Sequence, residues 1–373
     1  MRKIIIATDS FKGSLSAAEA CHIIAREARR LFPHAEVLEL PIADGGEGLV
    51  SVILQNLGGE LRTIRVHDPL NRPIQAAYAL LENGAAVIEM AAVAGLPLLS
   101  KNELDPTKTS TTGVGEQILD AIKMGVDPIY IGLGGSATVD GGVGAASAVG
   151  ICFLDEWGGV VTNGGRLGAV ARVDLQKLRA LDYSGKIIFL TDVNNPLCGA
   201  DGAAAVFGPQ KGASPEQVKQ LEQGLEHLAD LVSRESGQKL KDAPGMGAAG
   251  GFALPFVAFM GAELRGGIDF VLDLLEFDQK LAGTDLVITG EGRTDAQSAM
   301  GKAISTVTRR ARAAGVRVAV VSGSLGEGAE VMLELGVSDL VQATPVGQTL
   351  EEAMAQAAEN LTTAARDYLA KLI

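Results

Sequence analysis

Residues 3–14 read KIIIATDSFKGS, an isoleucine-rich run that ends in polar and glycine residues. Such a short apolar run is typical of a buried strand. Ser16 and Glu19 follow with the spacing of a capping box, and apolar residues then recur at helical spacing as far as Leu31. Residues 37–41 form a second short apolar run. The chain therefore begins as strand, helix and strand, which is typical of a parallel sheet covered by helices.

The same alternation returns at the other end of the chain. Short apolar runs, each followed by a helical pattern, predict strands at 285–289, 317–322 and 339–343. The middle differs, because Asn83-Gly84 separates two apolar runs and predicts an antiparallel hairpin. We therefore predict an α/β fold of two three-layer domains. A Rossmann-like domain takes residues 1–70 and 285–373, and residues 71–284 form an inserted α/β domain.

Composition excludes several classes of protein. The 373 residues include 32 Lys and Arg against 45 Asp and Glu, which gives a net charge of −13. A nucleic-acid or anionic-membrane binder needs a basic face, so we expect neither partner. Apolar residues make up 47% and charged residues 21%, which indicates a globular chain rather than a disordered one.

The sequence also points to a compartment. The cysteines lack the C-x-x-C spacing of zinc ribbons and redox motifs, and they stand at Cys21, Cys152 and Cys198. Arg2 and Lys3 precede only four apolar residues, which is too short for a secretory signal. The longest nearly apolar stretch, 251–262, is shorter than the roughly 18 residues of a membrane span. We therefore expect a cytoplasmic protein.

Glycine, at 47 residues, gathers in loops that follow the predicted strands. Six of these loops also carry acidic or hydroxyl side chains, at residues 7–14, 43–48, 132–142, 191–197, 289–295 and 321–326. In open α/β sheets, ligands bind beyond the carboxyl ends of the strands, where such loops gather. Taken singly, each loop is explained by turn geometry and helix capping. Together they predict a ligand site.

The residue types in these loops predict phosphate and metal binding. Gly134-Gly135-Ser136 leads towards a predicted helix, whose first N–H groups would suit a phosphate. Clustered carboxylates suit Mg²⁺, and they stand at Asp9, Asp44, Asp140, Asp192, Glu291 and Asp295. The four histidines lie outside the glycine clusters, and the usual P-loop motif is absent. This combination indicates phosphoryl transfer, which depends on positioning and charge neutralisation.

The loops also resemble, as a set, the signature segments of bacterial class I glycerate kinases. The segments that carry the resemblance are 9–12, 41–48, 132–142, 195–197, 207–213, 247–251 and 288–295 with Gln297-Ser298. They stand in unchanged order between residue 2 and about residue 345. The resemblance implies an ATP-dependent kinase that converts D-glycerate to 2-phosphoglycerate. It also implies two α/β domains with the active site in the cleft between them.

On this reading we expect ATP and Mg²⁺ to be held by the glycine loops and their carboxylates. ATP phosphates would lie against Gly134, Gly135, Ser136, Thr138, Gly290 and Gly292. The leading Mg²⁺ ligands are Glu291 and Asp295, while Asp44 and Glu47 are alternatives for the metal or for the substrate hydroxyls. Asp140 is either a ligand or a helix cap.

Glycerate needs a base for its hydroxyl group and a cation for its carboxylate. Asp192, flanked by Asn194 and Asn195, is the first candidate to orient and deprotonate the hydroxyl. The candidate cations for the carboxylate are Lys12, Arg293, Lys211 and Lys302. Further candidate binding residues in the same loops are Asp9, Ser10, Gly45 and Gly46.

Three other functions fit the sequence in part. A nucleotide-dependent dehydrogenase would use a similar sheet, but the G-x-G-x-x-G fingerprint is missing. A two-lobed binding protein for organic acids would not need six acid-bearing loops. The same kinase with a related hydroxy acid, or with 3-phosphoglycerate as its product, is not separable from the sequence. The sequence also leaves open whether the protein is a monomer or a homodimer.

Overall fold

A computed structural model describes residues 1–181, 183–299 and 303–373, and it has the mixed α/β fold predicted from the sequence. Its strands, numbered in chain order, are β1 (Lys3–Thr8), β2 (Glu36–Glu39), β3 (Glu60–His67), β4 (Pro73–Leu80), β5 (Ala86–Glu89), β6 (Ile129–Gly132), β7 (Cys152–Leu154), β8 (Arg172–Asp174), β9 (Ile187–Leu190), β10 (Glu263–Arg265), β11 (Leu286–Gly290), β12 (Arg293–Thr294), β13 (Arg317–Ser322), β14 (Ser324–Leu325) and β15 (Asp339–Gln342).

The α-helices lie between these strands. In chain order they are α1 (Ala17–Leu31), α2 (Leu49–Leu57), α3 (Ala91–Ala94), α4 (Thr112–Lys123), α5 (Val143–Ala148), α6 (Gln176–Ala180), α7 (Ala203–Phe207), α8 (Pro215–Ser236), α9 (Leu254–Met260), α10 (Gly267–Leu274), α11 (Phe277–Lys280), α12 (Ala303–Ala313), α13 (Val331–Glu334), α14 (Leu350–Ala355) and α15 (Ala357–Ala370). Short 3₁₀ turns occupy Leu96–Leu98, Lys101–Glu103, Gly164–Ala169, Pro209–Lys211, Ala248–Gly250 and Ala296–Ala299. In the described ranges, no helix combines the length and apolar character that crossing a bilayer requires.

The first compact unit contains residues 1–44, 51–56 and 267–373. Its sheet has the strand order β15-β13-β11-β1-β2, and every neighbouring pair is parallel. The isoleucine run of β1 is fully buried, as expected for a central strand of a parallel sheet. Because the strands are parallel, the ends of β1, β11 and β13 lie at one edge, where Thr8 pairs with Gly290 and Ser322 follows on β13.

The capping box at the start of α1 is confirmed. The Ser16 hydroxyl accepts a hydrogen bond from the Glu19 N–H at 3.2 Å, and the Glu19 carboxylate accepts one from the Ser16 N–H at 2.9 Å. This exchange satisfies two of the N–H groups that a helix leaves unpaired at its start. Helix α1 packs its buried face, which includes Ile24, against α15 and β1.

The second compact unit contains residues 45–50 and 57–266. Its sheet has the order β10-β9-β6-β5-β4-β3 and is mixed. β3, β4 and β5 are antiparallel, while β5, β6, β9 and β10 run parallel. The hairpin predicted at Asn83-Gly84 is confirmed, and Gly84 has the positive φ of +85° that favours glycine.

The bounds of the two units differ from 70 and 285. Strand β3 pairs with β4 from Glu60 to His67, so this segment joins the sheet of the second unit. Helix α10 belongs to the first unit, where Arg310 of α12 donates to the carboxylate of Asp273 at 2.6 Å and to the carbonyl of Asp269 at 3.1 Å. Strand pairing therefore places the first segment, and the hydrogen bonds of Arg310 place the second.

Candidate functional site

The first unit has a cavity of about 570 Å³ at the carboxyl edge of its sheet. Asp9 directly follows β1 and Glu291 directly follows β11, and these strands are neighbours. The cavity gathers many of the predicted residues of this unit, namely Asp9, Ser10, Lys12, Asp44, Glu291, Gly292, Arg293 and Asp295. Loops far apart in the sequence thus meet because parallel strands end at the same edge.

Asp9 is the most buried of these carboxylates. Its Oδ1 accepts a hydrogen bond from the Ser10 N–H at 2.6 Å. Burial, and then the nearby charge of Asp44, raise the pKa of Asp9 to about 7, while Lys12 opposes the rise and Glu291 adds to it. The cavity therefore concentrates negative charge, which a bound cation would neutralise.

Glu291 and Asp295 are held by different partners. Glu291 Oε1 accepts hydrogen bonds from Ser298 Oγ at 2.5 Å and Thr294 Oγ1 at 3.3 Å. Asp295 Oδ2 lies 3.6 Å from Nε of the exposed Arg293. Two hydroxyl groups thus orient Glu291, whereas Asp295 has a cation beside it.

The donor set of the cavity suits Mg²⁺. Carboxylate oxygens are the ligands that this ion prefers, and Asp9, Asp44 and Glu291 supply them in one cavity. Residues 1–181, 183–299 and 303–373 nevertheless contain no group of three or more His, Cys, Asp or Glu side chains arranged to hold a metal by themselves. A magnesium ion here would complete its shell with water and phosphate oxygens, as Mg²⁺ commonly does.

Part of the cavity wall is apolar and was missed in the sequence analysis. Leu350, Ala353 and Met354 of α14 line it, followed by Ala357 at the start of α15. A Cβ on Gly13, whose φ is +82°, would lie 2.6 Å from Met354 Cε. The sequence shows these residues only as a helical pattern, because nothing in that pattern tells which loops the helix faces.

Gly290 has a packing role. A Cβ at this position would lie 1.9 Å from the carbonyl oxygen of Val321 on the neighbouring strand. Beyond it, the Gly323 N–H donates to Glu291 O at 3.1 Å and the Ser324 N–H donates to Gly292 O at 3.0 Å. Glycine at 290 therefore allows β11 and β13 to run close together into the cavity loops.

Two predicted glycine loops also meet in the second unit. The Gly134 N–H donates to Gly45 O at 3.4 Å. A Cβ on Gly134 would lie 2.4 Å from Gly46 Cα, and one on Gly132 would lie 2.4 Å from Gly45 O. Only glycine fits such a close approach of two backbones. The structure therefore confirms that these loops lie together.

Glu89, which is not among the predicted site residues, connects the first of these loops to the sheet. Its carboxylate accepts hydrogen bonds from the N–H groups of Gly48 at 3.0 Å and Val50 at 3.3 Å. Burial raises the pKa of Glu89, and the two N–H donors oppose that rise. Glu47, directly before the first donor, is exposed. In the sequence, Glu89 stands out only as an acidic residue near the end of the apolar run 85–90, and this position could have marked it as a candidate.

The helix towards which Gly134-Gly135-Ser136 leads is present but starts further on, so its first N–H groups do not lie in this turn. Helix α5 begins only at Val143. The turn instead packs on residues 94–96, because the Leu96 N–H donates to Gly135 O at 3.0 Å and the Ala137 N–H donates to Ala94 O at 2.8 Å. Gly135 has a φ of +75°, which favours glycine.

Lys211 lies beneath this turn. Its Nζ donates to Ser136 Oγ at 2.8 Å and to Thr138 O at 2.7 Å. Burial lowers the pKa of Lys211 to about 7, and the charge of Asp140 opposes the change. Lys211 thus contacts both residues predicted as hydroxyl donors, Ser136 through its hydroxyl group and Thr138 through its backbone carbonyl.

Asp140 has a structural role. It is fully buried, and its carboxylate accepts hydrogen bonds from Thr111 N at 2.8 Å, Thr111 Oγ1 at 2.7 Å and Gly142 N at 3.1 Å. Burial raises its pKa, and these donors oppose that rise. The side chain joins the loop after β6 to the start of α4, as a cap would.

Asp192 follows β9, the neighbour of β6 in the sheet, so it lies at the same edge as Gly134. It is half-buried. Asn194 is exposed. Asn195 Nδ2 donates to Asp201 O at 2.8 Å and so stabilises the loop that contains both residues. Lys302, a predicted cation for the substrate carboxylate, lies outside the described residues.

Comparison with known proteins gives a consistent family. The model of the Glycerate kinase family matches residues 4–373. Glycerate kinase from Halalkalibacterium halodurans is 41% identical over 369 residues, which cover 98% of this chain and 97% of that protein. Glycerate 2-kinase from Escherichia coli K12 is 38% identical over 372 residues, which cover 99% of this chain and 98% of that protein.

A solved structure agrees with these relatives. The crystal structure provisionally named glycerate kinase 2 from Salmonella typhimurium LT2 superposes with a TM-score of 0.87 at 40% identity, covering 100% of this chain and 98% of that one. The family match spans nearly the whole chain, and the fold match is equally complete. The chain therefore belongs to the glycerate kinase family, a family of phosphotransferases.

Proposed function

We propose that this protein transfers the γ-phosphoryl group of Mg-ATP to D-glycerate and releases 2-phosphoglycerate. The observation that best supports the proposal is the cavity of the first unit, which places Asp9, Asp44 and Glu291 with Lys12 and Arg293. The carboxylates can hold a magnesium ion, and the cations can bind phosphate or carboxylate oxygens. Bound Mg²⁺ would neutralise charge on the phosphates.

The second unit supplies residues for positioning. The contacting loops at Gly45 and Gly134 bring the Ser136 hydroxyl to the carboxyl edge of the sheet, where we propose that it donates to a phosphate oxygen. Asp192, at the same edge, would accept the proton of the glycerate hydroxyl as it attacks phosphorus. That both sets of residues serve one reaction remains a prediction, and variants in each unit test it.

Family membership favours a kinase over the dehydrogenase and the organic-acid-binding protein that the sequence left open. The name of the Escherichia coli relative, glycerate 2-kinase, supports phosphorylation at the 2-position rather than the 3-position. We further propose that the protein acts in the cytoplasm as a monomer or homodimer. Light scattering on the purified chain would distinguish these two states.

The test is ADP release from Mg-ATP with D-glycerate, with L-glycerate and with no acceptor, followed by ³¹P NMR of the product. We expect turnover with D-glycerate alone, its loss when EDTA removes the metal, and a signal from 2-phosphoglycerate. A ³¹P signal from 3-phosphoglycerate would instead show that the enzyme phosphorylates the 3-position. A folded protein that turned over none of these acceptors would contradict the proposed substrate.

A further inference from the structure

A lysine is buried beneath the turn that presents Ser136. Lys211 is 2% exposed and Ser136 is 6% exposed. Lys211 Nζ lies 2.8 Å from Ser136 Oγ and 2.7 Å from Thr138 O. Both side chains are buried, but Ser136 lies nearer the surface, so a ligand at the edge of the sheet would meet Ser136 before Lys211. This geometry argues against Lys211 as a direct partner of the substrate carboxylate.

The contact between Lys211 and Ser136 fixes the direction of a hydrogen bond. In its ammonium form, which the nearby charge of Asp140 favours, Lys211 carries three N–H donors and no lone pair, so it can only donate. In that form Ser136 Oγ accepts from Lys211, and its own O–H points to another acceptor. A phosphate oxygen is such an acceptor, and its negative charge favours the ammonium form of the lysine.

The neighbouring hydroxyl supports the same assignment. Thr138 is fully buried, and its Oγ1 has no hydrogen-bond partner in the portion of the chain that the structure describes. Buried hydroxyl groups are nearly always hydrogen-bonded, so an unpaired one next to Ser136 indicates a missing partner such as a ligand or its water. Lys211 already occupies the Thr138 carbonyl.

We propose that Lys211 is a positioning residue that makes the Ser136 hydroxyl a hydrogen-bond donor to a phosphate oxygen of ATP. The inference rests on the proposed function, because it needs ATP as the ligand. A purely structural lysine, which would only hold residues 136–138 in place, is the alternative. That alternative predicts a loss of stability without a specific effect on ATP.

A double-mutant cycle separates the two roles. The variants are Ser136→Ala, Lys211→Met and the double variant, with Lys219→Met as the control because Lys219 is exposed on α8. Steady-state rates give the KM for Mg-ATP, the KM for D-glycerate and kcat. Circular dichroism and urea unfolding check that each variant is folded. If Lys211→Met does not fold, Lys211→Gln, which keeps an N–H donor without the charge, replaces it in the cycle.

We expect each single variant to raise the KM for Mg-ATP roughly tenfold, since one hydrogen bond to a charged group is lost. The double variant should show the same roughly tenfold change, because removing either member removes the same interaction. The KM for D-glycerate and the control Lys219→Met should stay close to wild type. Lys211→Gln should fall between wild type and Lys211→Met.

Other outcomes would overturn the inference. A double variant with a roughly hundredfold change, an unchanged KM for Mg-ATP in Lys211→Met, or equal increases in both KM values would each show that Lys211 does not act through Ser136. If the wild type has no turnover but binds Mg-ATP in calorimetry, the same cycle is read from Kd and the proposed substrate alone fails. If the wild type does not bind Mg-ATP, the inference fails together with the proposed function.

Discussion

The acidic residues near the carboxyl edges of the two sheets differ in how deeply they are buried. Asp140 is fully buried and has its lone pairs occupied by Thr111 and Gly142, so it holds the fold. Asp44 and Asp192 are half-buried and follow strands, so they can meet a ligand. Asp140 therefore holds its loop, whereas Asp44 and Asp192 keep enough exposed surface to meet a ligand.

Asp192→Asn tests the proposed general base. The amide cannot take the proton of the glycerate hydroxyl, so kcat should fall about 10²–10⁴-fold while the KM for Mg-ATP changes little. Asp201→Asn, at an exposed aspartate of the same unit, is the matched control. Steady-state kinetics on both variants provide the measurement. Near-native kcat in Asp192→Asn would remove this residue from the reaction.

Glu291→Gln and Asp295→Asn test the predicted metal ligands. If both carboxylates hold Mg²⁺, each variant should raise the magnesium concentration for half-maximal rate, by roughly tenfold or more for a lost charged ligand. We expect the larger effect at Glu291, because Thr294 and Ser298 orient its carboxylate while Asp295 lies beside Arg293.

The magnesium titration needs a control from the same unit. Glu330→Gln removes an exposed glutamate at the start of α13 and should leave the titration unchanged. An unshifted titration for both Glu291→Gln and Asp295→Asn would mean that other carboxylates, such as Asp9 and Asp44, hold the metal.

At the scale of elements, the glycine loops depend on how closely two backbones approach. Gly134→Ala would place a Cβ 2.4 Å from Gly46 Cα, where only backbone can move. We expect a loss of about 1–3 kcal/mol in the free energy of unfolding, because overpacking displaces the loop. Gly168→Ala, which meets nothing within 4 Å, should change it by less than about 1 kcal/mol. Urea unfolding compares the two, and equal losses would contradict the close approach.

Elements whose own residues determine them were predictable from the sequence. β13 occupies the predicted residues 317–322, and α1 has the predicted capping box, because apolar runs and caps act locally. β3 was missed because Glu60–His67 lacks the short apolar run that predicts the other strands. It is a largely polar edge strand, held in the sheet by pairing with β4. The helix expected beyond Ser136 begins only at Val143, while the turn itself pairs with residues 94–96.

The site was predictable only in part for the same reason. Acid-bearing glycine loops are visible in the sequence, and the parallel strands then bring them to one edge. Glu89 and Lys211 were not selected for the roles they have, because their partners, Gly48 and Ser136, lie 41 and 75 residues away. Contacts between residues so far apart in the sequence depend on the tertiary fold, and a local sequence pattern does not reveal them.

At the scale of the whole molecule, the chain leaves the first unit and returns to it. The first unit contains both termini, and residues 57–266 of the second lie between its segments. The first unit is held together by contacts over long sequence separations, such as the Asp285 carboxylate, which accepts from the Lys3 N–H at 3.2 Å. The stability of the molecule therefore depends on long-range contacts, and buried charged groups count heavily in it.

Lys211 should make that stability depend on pH. Burial lowers its pKa in the folded protein from the usual 10.5 to about 7. Between these values the unfolded chain keeps a proton that the folded chain has released, so raising the pH through this window stabilises the folded state. Below about pH 6 both states hold the proton, and the contribution no longer changes.

Lys211→Met removes this titration. We therefore expect the wild-type free energy of unfolding, relative to Lys211→Met, to rise as the pH goes from about 7 to about 9.5 and to stay level below about 6. Urea unfolding across this range measures it, with Lys219→Met on helix α8 as the control for removing an exposed charge. Parallel curves for wild type and Lys211→Met would show that the buried amine has an unaltered pKa. A relative fall with rising pH would show that the folded state holds the proton more tightly than the unfolded chain.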